Sequence, residues 1–330
     1  MCTTWCAAQD AGLVDGNDGI VYVAVYFTGT LSVPAQPPSD SPAIAGGASH
    51  VPPPDLDIRH LRTHEEFAAC VALQNETWGA NFSERVPAAI LKVSQRLGGV
   101  SAGAFDSHNR LLGFVFGMTG VENGRLVHWS DMLAVRPELR DRGIGRRLKE
   151  FQRETLLQLG VGVIYWTFDP LVARNAHFNF NRLGVEVTEY VTDMYGPDTD
   201  SALHRGLGTD RFIVAWRIAE PAAGGAGAPP DLAEARSARV LNLSNGAGVP
   251  ASPRLPDGRA EVTLRVEIPP EIDKVQAASL ALAGRWRAAT RAALTWGLRH
   301  GYRVAGFYRE GGEPRAYYVL SLERPTGGAG

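Results

Sequence analysis

Six residues, Arg140-Asp141-Arg142-Gly143-Ile144-Gly145, constrain this chain more than any other stretch. They follow an apolar, β-branched run at 126–135 and open a run at 144–159 where Ile144, Leu148, Phe151 and Leu159 recur at helical spacing. Gly160 then supplies a typical stop. The unit reads as buried strand, glycine-bearing loop, helix. Two glycines let backbone approach a ligand closely, and the first helical turn offers N–H groups with no internal acceptor. With the helix dipole and the guanidinium groups of Arg140 and Arg142, this is an anion site suited to a phosphate. Two common phosphate patterns fail here. No Gly-Lys-Ser/Thr follows, and the position where a dinucleotide fingerprint needs its third glycine holds Leu148.

The rest of the 330 residues divides into four stretches. Residues 1–55 contain no Lys or Arg, which argues against a secretory signal or an arginine-rich transit peptide. A short strand fits 20–27. The remainder is Pro, Ser, Gly and Ala and is expected to be disordered, as a natural tail or as upstream sequence included in the reading frame. Residues 56–220 carry the loop and are expected to fold as one domain, 221–230 (EPAAGGAGAPP runs across it) read as a linker, and 231–330 as a second lobe. A net charge of −2 gives no strong pull toward nucleic acid. No apolar run is long enough for a bilayer, so no membrane partner is expected. Cys2, Cys6 and Cys70 give neither a paired framework nor metal-ligand spacing, so a reducing, cytoplasmic setting and no metal are expected.

Within 56–220 a strand is expected at 56–61. Thr63-His64-Glu65-Glu66 is a capping box that starts a helix with Phe67, Cys70, Val71, Gln74 and Trp78 on its apolar face. Pro87 starts a second helix to about Leu97. A hairpin is expected from strands 100–105 and 111–117, then a turn over 120–124. Beyond the long helix come a strand at 161–168, a short helix at 175–183, and strands at 185–194 and 212–218. In the second lobe strands are expected at 238–243, 261–268, 302–308 and 316–322. Helical segments start near Asp273 or Ser279, with a helix at 284–300. The pattern at 261–268 alternates Val262, Leu264, Val266 and Ile268.

The loop, with Val135 and Pro137 ahead of it, resembles the R/Q-x-x-G-x-G/A pyrophosphate loop of the GNAT acyltransferases. The element order is similar to that fold, and the segment WTFDPLVARNAHFNFNRLG resembles a bacterial subgroup of predicted acetyltransferases. The resemblance implies an α+β, three-layer α/β/α fold with a mixed sheet whose fourth and fifth strands splay apart. The second lobe would be a smaller, incomplete GNAT-like α+β unit; it has no second loop of this kind. Acyl-CoA, acetyl-CoA or succinyl-CoA, would be the co-substrate. Its pantetheine would pair with the backbone of Leu133 and Val135, and its diphosphate would lie on Arg140, Arg142, Gly143, Ile144 and Gly145. Asn175 would contact it from the short helix.

The family's general acid is often a Tyr on that short helix. Here the matching position is Phe180, which cannot donate, and His177 lies on nearly the same face as an alternative acid or base, or as a brace for the helix. Asp131 is a candidate base or a solvated residue beside a strand bulge. Asp169 is a candidate base or a turn cap. Transfer to an already neutral amine by proximity needs no base. Tyr195, His204 and Arg211 could meet a substrate carboxylate, or pack as ordinary loop residues. Arg285, Arg287 and Arg291 read as a basic helix face, either solvated or lining a pocket for an acidic group. The expected activity is N-acyl transfer to a small amine or amino acid. A non-catalytic CoA-binding module and a protein N-acetyltransferase remain as alternatives.

Overall fold

The structure is a computed structural model that describes residues 56–196, 206–219, 232–256, 261–310 and 315–322. The expectations for 1–55, for the linker and for His204 lie outside the described residues. The elements of the first lobe are β1 (Asp57–His60), α1 (His64–Trp78), α2 (Ala88–Arg96), β2 (Val100–Phe105), β3 (Leu111–Glu122) and β4 (Arg125–Val135). Then follow α3 (Ile144–Leu159), β5 (Val163–Phe168), α4 (Ala173–Ala176), β6 (Glu186–Val191) and β7 (Arg211–Arg217). α4 runs directly into a π-helical turn, His177–Leu183. One seven-stranded mixed sheet holds them in the order β1-β2-β3-β4-β5-β7-β6. This is the α+β layout expected for a GNAT fold.

Local chemistry explains the boundaries. Thr63 and Glu66 close the capping box at α1 in both directions. β3 continues past the expected turn: Gly120 stays in the strand, and the reversal falls on Asn123 (φ 49°) and Gly124 (φ 74°), a pair suited to a tight hairpin. Ile144 and Leu148 are buried under the sheet as expected, but Leu159 is 43% exposed and Leu156 takes the inner place. Trp78 and Phe82 stack in the core, and Cys70 is fully buried beside them. Burial pushes the Cys70 thiol up, which makes it unreactive.

The second lobe has α5 (Leu232–Ser237), β8 (Arg239–Val240), β9 (Thr263–Ile268), α6 (Ile272–Ala278), α7 (Leu280–Arg299), β10 (Tyr302–Arg309) and β11 (Ala316–Leu322). Its four-stranded sheet runs β10-β11-β9-β8. The strand expected at 238–243 shrinks to two residues; Ser279, one of the expected helix starts, caps α7 through its side chain, so the long helix begins at Leu280, four residues before Gly284. Leu264, Val266 and Ile268 are fully buried as the alternation requires. They join one apolar cluster with Phe168, Phe212 and Val214 of the first lobe, so the two lobes share a core. Phe180 belongs to that shared core: its ring meets Phe168 and Tyr318 edge-on.

Candidate active site

The site begins where two parallel strands part. β4 and β5 pair at only three positions, Val127–Val163, His128–Ile164 and Trp129–Tyr165. Beyond that point β4 keeps β3 as its neighbour while β5 keeps β7. The β4 edge around Leu133 and Val135 therefore has no strand partner on its β5 side. Both side chains are buried toward α3, so only their backbone can serve a ligand in the gap. An extended, amide-containing arm can pair with such an edge as a strand would.

At the open end of the gap Gly143 caps α3 in the left-handed conformation (φ 78°), and Asp141 is also left-handed (φ 62°). No side chain caps α3, so the first N–H groups of the helix remain available to an anion. Arg140 donates from Nε to the Val135 carbonyl at 3.3 Å. Burial, and then the like charge of Arg174, lower its pKa, so two guanidinium groups face one region beside the loop. Arg142 is exposed at the loop surface. Asn175, next to Arg174 on α4, is 2% exposed, and neither atom of its amide has a hydrogen-bond partner. An orphaned buried amide costs about 1–3 kcal/mol, so these two atoms suit a polar partner beyond the described residues.

At the closed end, the register places Asp131 in a β-bulge: Met132 faces Phe116 and Ser130 faces Gly117, leaving Asp131 with no opposite residue. Ser130 points to α3, where its hydroxyl meets Gln152. Asp131 lies on the other face: the charge of Glu84, in the α1–α2 loop, acts on it. The Asp131 carboxyl is 1% exposed, and neither oxygen has a partner. Burial, then Glu84, push its pKa well above the carboxylate range. Tyr195 shares this space. Its hydroxyl lies 3.0 Å from Thr167 Oγ1 on β5, and its ring packs against the cluster of Met132, Phe82 and Val86. Burial drives the Tyr195 pKa up, the Thr167 hydrogen bond opposes it, and the charges of Asp131 and Glu84 add to it.

On the α3 side of the same vertex lies a polar group that periodicity did not reveal. Lys149 is fully buried and donates to Ser130 Oγ at 2.7 Å and Gln152 Oε1 at 3.3 Å, with its ammonium 3.9 Å from the centre of the Trp166 ring. No ion pair involves it among the described residues, and burial pulls its pKa well down. Gln152 continues to His128 at 3.0 Å, and His128 to Thr119 at 3.0 Å. Burial and Lys149 push His128 down to about 3, so its ring is neutral. A signal existed in the sequence: Gly145, Lys149, Gln152 and Leu156 form one helical stripe beside Ile144 and Leu148, and two polar residues on a buried stripe are unusual.

The remaining candidates sit elsewhere. Asp169 accepts both arms of Arg287 from α7, at 2.8 and 2.5 Å, and caps Leu171 through its backbone N–H at 2.8 Å. Arg211 is fully buried, donates to the Asp210 carbonyl at 2.6 Å, and lies 3.8 Å from Asp169 and 5.3 Å from the Tyr195 ring. Arg291 grips Asp210 at 2.7 and 2.6 Å. The expected basic face on α7 therefore divides: Arg287 and Arg291 turn inward to carboxylates of the first lobe, and Arg285 is exposed. They do not line an open cationic pocket. His177 is half-buried on the π turn, 3.2 Å from Asn181 Nδ2, and burial, then Arg182 and Arg309, lower its pKa. Tyr195 and Thr167 meet on the Asp131 side of the vertex, with Lys149 on its α3 side; His177 and Asp169 are not joined to Asp131 by any hydrogen bond.

No protein-family model matches the sequence, and no curated protein matches it. Solved structures with a similar layout are acetyltransferases. One is the NatC complex bound to Gag peptide and CoA, at 18% identity and TM-score 0.39 over 49% of this chain and 98% of that one. Another is aminoglycoside 6'-N-acetyltransferase complexed with coenzyme A, at 14% identity and TM-score 0.37 over 50% and 98%. A third is an acetyltransferase of the GNAT family from Staphylococcus aureus, at 12% identity and TM-score 0.37 over 49% and 99%. Each covers about half of this chain. Among the described residues no group of His, Cys, Asp and Glu could hold a metal ion, and no helix is long and apolar enough to cross a membrane.

Proposed function

We propose that the protein is an acyl-CoA-dependent N-acyltransferase with a single active lobe. The observation that carries this reading is the gap between β4 and β5, with an uncapped helix start and an orphaned Asn175 at one end and an orphaned Asp131 at the other. The diphosphate of CoA would lie on the N–H groups of Gly143, Ile144 and Gly145, with Arg140 beside them and Arg142 at the surface. The pantetheine amides would pair with the free backbone edge of β4 at Leu133 and Val135, and with the Asn175 amide. The thioester would then lie near the vertex, beside Asp131.

There the acceptor ammonium gives one proton to Asp131 and attacks the thioester carbonyl. A C–N bond forms and the C–S bond breaks. The second nitrogen proton goes to the departing sulfur, so the products are an amide and free CoA thiol, with one proton left on Asp131. A carboxylate whose pKa burial and Glu84 hold above the ordinary range takes a proton more readily, which suits it to act as the base. Asp169, bound on both oxygens by Arg287, and His177, on the outer π turn, serve structure in this reading. Tyr195 holds its hydroxyl near the reacting atoms and can pass a proton.

The test is release of CoA thiol from acetyl-, propionyl- and succinyl-CoA against a panel of amines and peptides. Release with small amines supports the reading. Binding of CoA with no release for any acceptor would reduce the protein to a CoA-binding module, and release with peptides alone would make it a protein N-acetyltransferase.

A further inference from the structure

Resting on that reading, we infer that the acceptor is a cationic amine with no carboxylate beside the reacting nitrogen, and that Glu84 helps to hold it. Three observations carry this. First, the α1–α2 face of the vertex presents acid and no base. Both Asp131 oxygens lack a partner, and no ion pair reaches Asp131 among the described residues. Glu84 lies between Phe82 and Val86, whose side chains pack with Met132, the neighbour of Asp131. Its only described hydrogen bond is from the Ser83 hydroxyl at 2.9 Å. Asp131, unpartnered and buried, feels the charge of Glu84, and among the described residues neither carboxyl is ion-paired, which leaves a place for a cation.

Second, the arginines that would receive an α-carboxylate are taken. Arg211 lies beyond the Tyr195 ring, with its guanidinium against the Asp210 carbonyl and Asp169. Arg287 and Arg291 are tied to Asp169 and Asp210. Arg85, beside Glu84, points outward to Asn75 at 3.0 Å. A carboxylate next to the reacting amine would enter an acidic, partly desolvated space without a donor, and two unpaired negative charges there repel. Third, the walls are aromatic and aliphatic. Phe82, Val86, Met132 and the Tyr195 ring suit an apolar stem behind the ammonium.

The experiment compares matched amines that differ only in the carboxylate: phenethylamine with phenylalanine, and 1,5-diaminopentane with lysine. The expected result is at least a tenfold higher kcat/KM for the carboxylate-free member of each pair. Glu84→Gln should raise KM for these amines five- to tenfold with kcat within twofold, and Glu84→Asp should recover part of it. Equal or better use of the amino acids overturns the inference, as does a Glu84→Gln variant with unchanged KM. Should no amine be acylated, equilibrium binding of the same pairs to the CoA-bound protein decides: tighter binding of the carboxylate-free members upholds the inference while the transferase reading falls, and no preference overturns it. Failure to bind CoA at all is a separate result that removes the reading beneath.

Discussion

The β4–β5 vertex and the interface between the lobes use the same kinds of residue for opposite ends. At the interface Asp169, Asp210 and Arg287 are each answered by an opposite charge. Arg287 holds Asp169 with two hydrogen bonds and reaches the Leu207 carbonyl with a third, while Asp210 takes Arg291 and the Tyr190 hydroxyl. The Arg287 pKa ends above its ordinary value although burial alone would lower it, because Asp169 lies against it. Along the β4–β5 gap the buried polar groups are left unanswered. Asp131 and Asn175 have no partners, and Lys149 has only neutral ones. A folded chain keeps such groups only at a cost to stability, and that cost falls where a ligand can relieve it. The lesson is that pairing, rather than burial or residue type, separates the scaffold from the site.

Breaking the paired side should have the largest effect on stability. Arg287→Ala leaves Asp169 buried with only the Leu171 N–H and the more distant Arg211, and the expected loss is about 3–5 kcal/mol, read from denaturant unfolding with two-state analysis. A loss under about 1 kcal/mol would mean that the pair is screened, and the comparison would fail on that side.

Removing an unpaired charge should do the reverse. Asp131→Asn is expected to make the CoA-free protein more stable while lowering kcat by about 10²–10⁴. The sign follows from linkage. A carboxyl with its folded pKa raised favours the fold below the unfolded value near 3.8 and loses that advantage as pH rises through the folded value. The gain from Asp131→Asn should therefore grow across that window, by up to about 1.4 kcal/mol per pH unit, and then level off. Thermal melts from pH 4 to pH 9 give the curve.

Lys149→Met should give a smaller, oppositely placed effect. With the folded pKa pulled below the unfolded value of 10.5, the wild-type protein gains stability as pH rises through the interval between them. Met fills a similar space without the charge, so the variant should equal or exceed the wild type near neutrality and lack that upward slope. A variant clearly weaker at pH 7, by more than about 2 kcal/mol, would show that the amine's hydrogen bonds and its contact with Trp166 outweigh its burial.

Much of the fold was legible because it is written in local pattern. The α1 capping box, the period-two run in β9 and the glycines that bound α3 each report on neighbours within a few residues. The glycine-bearing loop ahead of α3 was legible for the same reason. The polar contrast was not. Asp169 and Arg287 stand 118 residues apart in the chain, so a candidate base at the end of β5 and a basic helix looked like two separate features until the lobes met. The bulge at Asp131 depends on the β3–β4 register, which no single strand specifies. Phe180 at the place of a familiar tyrosine was visible, but its use in the shared core was not, because the second lobe supplies Tyr318.

Titration calorimetry of CoA tests the central claim most directly, with the wild type beside Gly143→Val. Valine has room there but must adopt φ near 78°, so it disturbs the backbone that offers the first N–H groups of α3. The account predicts that the wild type binds CoA and that the folded variant binds at least 100-fold more weakly. Undiminished affinity in a folded Gly143→Val protein, or no CoA binding by the wild type, would contradict it.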